Sequence, residues 1–309
     1  MERVQYGVID IGSNSLRLMT GWQDEAGQWH FSPKQLATTR LGKNMDKTHR
    51  LDPAGMEASF QALTAWQSAL RDTRVCAIAT SAVREAKDGQ AFLAEIRSRY
   101  GWHCRAIPGI EEAALSFCGA SSALSRDTRS GVLDIGGGSS ELAIGWNGEV
   151  QWAHSYHLGA VRLTTSDTWR DEDIAALKGH CQNMLLPMPY VPEILVGVGG
   201  TLTTLGAMDL GLVTYDAALV EGHAVSRDTI AAWITKLQHM TPEERRHVPG
   251  LQPKRSDIII AGLVIAWSIL DFYGLEALTV SERDLMEGVF YRQAFYDAAV
   301  AGGTRSEWT

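Results

Sequence analysis

Metal-site and disulfide patterns are missing from this sequence of 309 residues. Its cysteines, Cys76, Cys104, Cys118 and Cys181, are scattered and form no Cys-x-x-Cys pair. That spacing argues against a structural zinc site or a disulfide framework, and for a reducing compartment. The nine histidines are dispersed as well. His154 and His157 stand three apart on an expected strand, where they point to opposite faces. No apolar run reaches the ~20 residues of a membrane span. The longest, Ile258 to Leu270, reads as a buried helix. Met1 to Gln5 leads straight into a strand-like stretch, Tyr6 to Ile11, with no signal-peptide pattern. A cytoplasmic protein with no membrane partner is expected. Two common nucleotide signatures are absent too, the Walker A loop and Gly-x-Gly-x-x-Gly.

Positive charge is in short supply. Lysine and arginine total 28 against 36 acidic residues, a net charge of −8, which argues against DNA or RNA as a partner. One stretch runs the other way: Arg40, Lys43, Lys47 and Arg50 face Asp46 alone. A solvated surface explains such a run at least as well as a polyanion site.

What is present is globular. The chain is 45% hydrophobic and 21% charged, and its length suits two lobes. Val75 to Thr80, His103 to Ile107, Gly131 to Ile135, Ile194 to Val198 and Leu278 to Ser281 read as buried strands. Between them lie helices. Asp52-Pro53 is an N-cap with proline at the first helical position, followed by Met56, Phe60, Leu63, Trp66 and Leu70 at helical spacing. Ser226 caps a second helix, with Ile230, Trp233, Ile234 and Leu237 turned inward. The class is α/β.

The most informative feature is an internal repeat. Val8-Ile-Asp-Ile-Gly-Ser-Asn-Ser-Leu-Arg-Leu18 aligns without a gap on Val132-Leu-Asp-Ile-Gly-Gly-Gly-Ser-Ser-Glu-Leu142. Each copy is an apolar strand carrying Asp near its end, a tight Gly/Ser turn, and a second strand. Such a turn brings backbone N–H groups against an anion. A third turn, Gly197-Val-Gly-Gly-Thr201, follows a strand and opens a helix, whose free N–H groups also favour an anion. One glycine turn is weak evidence, since any tight turn needs glycine. Three, two of them with Asp nearby, point to a phosphate-and-metal site.

With these motifs the sequence resembles the exopolyphosphatase/guanosine pentaphosphate phosphohydrolase (Ppx/GppA) family, within the actin, sugar-kinase and heat-shock ATPase superfamily. The matching segments are Val8 to Leu18, Arg40 to Leu51, Ala79 to Asp88, Pro108 to Ala113, Val132 to Leu142, Leu158 to Thr164, Gly197 to Thr201, Arg255 to Gly262 and Ser281 to Gly288. The resemblance implies a two-lobed actin-like fold, two ribonuclease H-like lobes around a central cleft. Residues 1–119 are expected in the N-terminal lobe and 120–309 in the C-terminal lobe, the last helix packing back on the first lobe. The chain is similar to the family's short form, which lacks a C-terminal helical region.

The resemblance also implies roles. Glu112 matches the family's catalytic carboxylate, which activates the attacking water, although for Glu111-Glu112 a solvated helix start is the plain alternative. Arg17 and Arg84 supply fork-shaped cations for phosphates. Gly12, Ser13, Asn14, Ser15, Gly136, Gly137, Gly138, Ser139, Gly200 and Thr201 cradle phosphoryl oxygens. Asp134 and Glu141 hold Mg²⁺ or Mn²⁺, with Asp10 as their symmetric partner. Departures from the family pattern are Pro108 before the Gly of the Glu-Glu motif, Lys43 at a commonly acidic position, and Asp284 at a usual Gly.

The expected reaction is Mg²⁺-dependent hydrolysis of the terminal phosphoanhydride of inorganic polyphosphate, with guanosine pentaphosphate as the second substrate. A non-hydrolytic sensor of guanosine polyphosphates would keep the cleft without needing Glu112. A small-molecule kinase would need a substrate-binding insertion for which this compact chain has little room. A homodimer is expected from the base rate alone.

Overall fold

The computed structural model describes residues 4–292. The first part of the chain forms β1 (Gln5–Ile11), β2 (Ser15–Gln23), β3 (Trp29–Phe31), β4 (Gln35–Thr38), α1 (Met45–Thr48), α2 (Pro53–Gln67), β5 (Thr73–Ala79), α3 (Ser81–Glu85), α4 (Gly89–Tyr100), β6 (His103–Ala106) and α5 (Gly109–Ser121). Then follow β7 (Ser130–Ile135), β8 (Ser140–Trp146), β9 (Glu149–Tyr156), α6 (Asp171–Met184), β10 (Ile194–Val198), α7 (Gly199–Asp209), α8 (Ala217–Val220) and β11 (Ala224–Ser226). The rest comprises α9 (Arg227–Gln238), α10 (Pro242–Arg245), α11 (Ile259–Tyr273), β12 (Ala277–Val280) and α12 (Leu285–Tyr291).

The two sheets share one plan. In the first the order is β3-β2-β1-β5-β6, with β4 also on β2; in the second it is β11-β12-β10-β7-β8-β9. Each opens with an antiparallel hairpin, β1–β2 or β7–β8, and each first strand has a parallel neighbour, β5 or β10. This repetition matches the two-lobed plan expected from the sequence. Its parallel strands are covered on both faces, so they read as continuous apolar runs: Val8, Ile9 and Ile11 are fully buried.

The local signals act as the sequence suggests, with exceptions. Asp52 accepts a hydrogen bond from Gly55 N at 2.9 Å to start α2, and Ser226 accepts one from Thr229 N at 3.0 Å to start α9. Leu70 lies beyond α2, in a short 3-10 turn, but is buried. Trp233 packs on the core but is only half-buried, with Lys236 4.4 Å from its ring centroid on the outer face. Ile258 itself caps α11, an apolar helix buried along most of its length. Among the described residues no helix is long and apolar enough to cross a membrane, and the cysteines are free.

Two helices cross between the lobes and fix the cleft. The apolar face of α5 carrying Ala113, Phe117 and Ala120 packs on Val132, Ala143, Val196 and Val198 of the second sheet. Leu285, Met286, Val289 and Phe290 of α12 pack instead on Val8, Met19 and Ile78 of the first. Each buried Val, Leu, Ile, Met or Phe among them stabilises the packing by roughly 1.5–3 kcal/mol. The helices themselves touch backbone to backbone. A Cβ on Gly119 would lie 1.8 Å from Asp284 O, and one on Gly288 would lie 2.0 Å from Leu115 O. Only glycine allows this approach, and it sets Asp284 at the cleft.

Candidate active site

Both hairpin turns close the same way. Gly12 N donates to Ser15 O and Gly136 N to Ser139 O, each at 3.0 Å. The third turn opens α7, with Gly200 and Thr201 in its first turn. All three face one cleft cavity of about 300 Å³. Gly12, Ser13, Asn14, Ser15, Gly136, Gly137, Gly138, Ser139, Gly200 and Thr201 all line it, as do Asp10, Arg17, Glu112 and Asp134. Arg84 and Glu141 do not reach its surface; they stand directly behind residues that do.

The start of α5 separates the two adjacent glutamates. Glu111 turns outward, where Arg105 grips it with both guanidinium nitrogens. Glu112 is 7% exposed and receives Arg84 Nη1 at 2.9 Å, while the same nitrogen donates to Ile107 O at 2.9 Å. A solvated helix start therefore describes neither residue, and only Glu112 faces the cleft. Burial raises its carboxyl well above the ordinary range, with the Glu141 charge adding to the effect.

Behind the second turn lies an acidic pair. Asp134 and Glu141 face each other across β7 and β8. Asp134 Oδ2 accepts from Ser116 Oγ at 2.8 Å, and Glu141 Oε1 from Ser155 Oγ at 2.7 Å. Neither has an ion pair in the structure's described residues. Glu141 is 1% exposed, and its Oε2 has no hydrogen-bond partner. Burial, reinforced by Asp284, pushes the Asp134 carboxyl up to about 6; burial, reinforced by Asp134, pushes Glu141 up to about 8. Uncompensated buried carboxylates are costly, and a cation would relieve them.

The first hairpin differs. Asp10 faces Arg17 across β1 and β2 and receives its Nε at 2.9 Å and Nη2 at 2.8 Å. Arg17 Nη1 also pairs with Asp284. Asp10 is thus already neutralised, and Arg17 is partly committed to protein carboxylates.

The chain belongs to the Ppx/GppA phosphatase family. The family's model matches residues 23–296. Exopolyphosphatase 2 of Mycobacterium tuberculosis is 31% identical over 314 aligned positions, covering 94% of this chain and 98% of that protein. A guanosine-5'-triphosphate,3'-diphosphate pyrophosphatase of Aeromonas hydrophila is 26% identical and matches 93% of this chain, which spans 58% of that protein. The crystal structure of an exopolyphosphatase-like protein, 30% identical, superposes with a TM-score of 0.86 over 96% of this chain and 100% of that one.

Several cleft residues escape a reading of the sequence motifs. Arg255 packs its guanidinium on α7, where a Cβ on Gly200 would lie 2.1 Å from Nη2. It lines the cavity, its side chain donates to Gln252 Oε1 at 3.3 Å, and burial with the nearby Arg17 lowers it to about 10. It stood inside a matching segment without a role. Lys34, Tyr215, Glu282 and Asp284 also line the cavity. Asp284, marked in the sequence only as a departure, is 3% exposed. Although burial alone would raise it, Arg17 and Lys34 hold its carboxyl well below the usual range.

The basic stretch braces the first turn from behind, Arg40 N donating to Asn14 O at 2.9 Å and Gly42 N to Ser13 O at 2.8 Å, but its charges lie outside the cavity. Arg40 binds Asp257 at 2.8 Å, Arg50 stands 3.6 Å from Asp88, and Lys43 and Lys47 are exposed. None of the four lines the cavity. His154 and His157 share no site: His157 follows β9 and lies 3.6 Å from Glu85.

Proposed function

We propose that this cleft hydrolyses a terminal phosphoanhydride and releases orthophosphate, with inorganic polyphosphate as leading substrate and guanosine pentaphosphate as the second. One observation carries the reading. A buried carboxylate, Glu112, faces a pocket walled by three N–H-rich turns, and Arg84 fixes its orientation. That arrangement suits a general base set beside a phosphate cradle.

Substrate oxygens would meet the turns at Gly12–Ser15, Gly136–Ser139 and Gly200–Thr201. Arg255 offers a cation with no carboxylate ion-pair partner among the described residues. Arg17 keeps two of its five N–H groups for phosphate, since three point at Asp10 and Asp284. Glu112 takes a proton from the attacking water, and Arg84 supports its charge.

The acidic pair fits a divalent cation. Among the described residues no three His, Cys, Asp or Glu side chains form a closed metal site. Magnesium uses one or two carboxylates and completes its shell with water and phosphate oxygens. Asp134 and Glu141 suit that role through their missing countercharge and the orphaned Oε2 of Glu141; Asp10, held by Arg17, suits it less. A bound Mg²⁺ or Mn²⁺ would supply charge neutralisation at the phosphoryl oxygens.

Guanosine pentaphosphate stays in view because Tyr215, 40% exposed, offers an aromatic face at the cavity mouth. A non-hydrolytic sensor would leave Glu112 without a purpose. Orthophosphate release, measured side by side on polyphosphate and guanosine pentaphosphate in wild type and Glu112→Gln, tests the reading. Turnover should fall by roughly 10²–10⁴-fold in the variant, as for loss of a general base, with substrate affinity kept. Wild-type turnover in the variant would remove the mechanism.

A further inference from the structure

The cleft is shut on one side and open on the other. A Cβ on Gly138 would lie 2.7 Å from Ser13 Oγ and 2.5 Å from Ser81 Oγ, so the hairpin turns touch across the lobes. Behind this contact Arg162 donates to Gly138 O at 2.6 Å, Asp46 at 2.6 Å and Glu85 at 2.7 Å. A phosphate chain longer than the cavity must leave the other way. There the lining includes Leu36 and Tyr215, 45% and 40% exposed, together with Lys34, Glu282 and Asp284.

Two of the cations there, Lys34 and Arg17, are already engaged. Lys34 Nζ donates to Glu287 at 2.9 Å and to Glu282 O at 2.5 Å and lies 3.2 Å from Asp284, so it is held on three sides. Arg17 joins Asp284 to Asp10. With Arg255 and Glu282 counted, three cations meet four carboxylates there, Asp10, Glu282, Asp284 and Glu287. A polyanion passing here would face surplus negative charge. To capture Lys34 or Arg17 it would leave a buried carboxylate unpaired, which is costly.

We propose that Asp284 sets the length of substrate this cleft accepts: by engaging Lys34 and Arg17 at the exit, it favours phosphoanhydrides of a few phosphates over long polyphosphate. The proposal rests on hydrolysis in this cleft and names its substrate class. Asp284 acts on specificity without touching the bond that breaks.

The test is kcat/KM for tripolyphosphate and long-chain polyphosphate in wild type, Asp284→Asn and Lys34→Gln, at two ionic strengths. Asparagine keeps the acceptor that caps Met286 N, now at 2.9 Å, and is itself a good N-cap. Wild type should prefer tripolyphosphate. Asp284→Asn should raise the long-to-short ratio about ten-fold, the order expected for removing one like charge near a phosphate, and less at high salt. Lys34→Gln, which strips a cation from the same carboxylates at a half-exposed position, should lower the ratio. Ratios unchanged in both variants, or a wild type that prefers long chains, would overturn the length limit. So would a wild type that cleaves guanosine pentaphosphate and neither polyphosphate. A wild type that releases phosphate from none of them would overturn the hydrolysis reading itself.

Discussion

The hairpins at residues 8–18 and 132–142 have the same length, the same turn bond and the same register, yet opposite electrostatics. Arg17 stands opposite Asp10 in the first; in the repeat its place is taken by Glu141, opposite Asp134. The first pair neutralises itself across the strands. In the second, two buried acids share only hydroxyl donors, and their carboxyls rise to about 6 and about 8. The change from Arg17 to Glu141 thus separates a hairpin that supplies its own countercharge from one left with two buried acids and none. Duplicated scaffolds keep backbone geometry, and the chemistry follows the side chains placed on it.

The comparison predicts unequal effects of equivalent substitutions. Removing charge from the second hairpin, by Asp134→Asn or Glu141→Gln, should lower turnover by at least about 10²-fold, the scale of losing a group that stabilises developing charge. Asp10→Asn in the first should cost less than about ten-fold, because Arg17 retains Asp284 as a partner. Steady-state orthophosphate release from tripolyphosphate measures both. Equal losses would erase the distinction.

Stability should show the same asymmetry with opposite sign. Without divalent cations, Glu141→Gln removes a buried carboxyl whose ionisation the fold opposes and should raise the melting temperature near neutral pH by about 2–6 °C, given roughly 2–4 °C per kcal/mol for domains of this size. Asp10→Asn breaks a satisfied pair and should lower it. Calorimetry in chelator reads both.

A smaller effect concerns pH. Asp134 and Glu141 titrate near 6 and 8 in the folded chain, above the roughly 4 of unfolded carboxyls. Between about pH 4 and 8 the folded state therefore binds more protons than the unfolded state. Its stability contribution from these groups falls as pH rises through that window. The metal-free melting temperature should drop more steeply with pH in wild type than in Glu141→Gln, and Mg²⁺ should flatten the wild-type slope. Parallel slopes would contradict the charge surplus.

The smallest effect tests the basic stretch. Neutralising Lys43 and Lys47 together should change kcat/KM by less than about two-fold on any substrate, as both are exposed, lie outside the cavity and are screened by salt. A loss confined to long polyphosphate would bring that surface back into substrate binding.

What was legible in the sequence is what is local. The hairpin turns, the Asp52 and Ser226 caps and the buried strands are set by neighbours within a few residues. The three turns could be assigned to one site because two are copies of each other. The engagement of Arg17 was not legible, because Asp284 is 267 positions away and arrives only through the α5–α12 crossing at Gly119 and Gly288. Arg255 likewise meets α7 across the fold. Counting charges along Arg40 to Arg50 could not show that Asp257 and Asp88 answer two of them. Trp233 fits an inward stripe by spacing, but Lys236 covers its outer face.

The central claim is that the second hairpin, not the first, holds the cation that catalysis requires. Its most direct test is the Mg²⁺ dependence of orthophosphate release in wild type, Glu141→Gln and Asp10→Asn, measured together. The account predicts no release in excess chelator, a half-maximal Mg²⁺ concentration raised at least about ten-fold in Glu141→Gln, the order seen when ligand-shell groups are lost, and little change in Asp10→Asn. Full turnover in chelator, or an equal shift in Asp10→Asn, would contradict it.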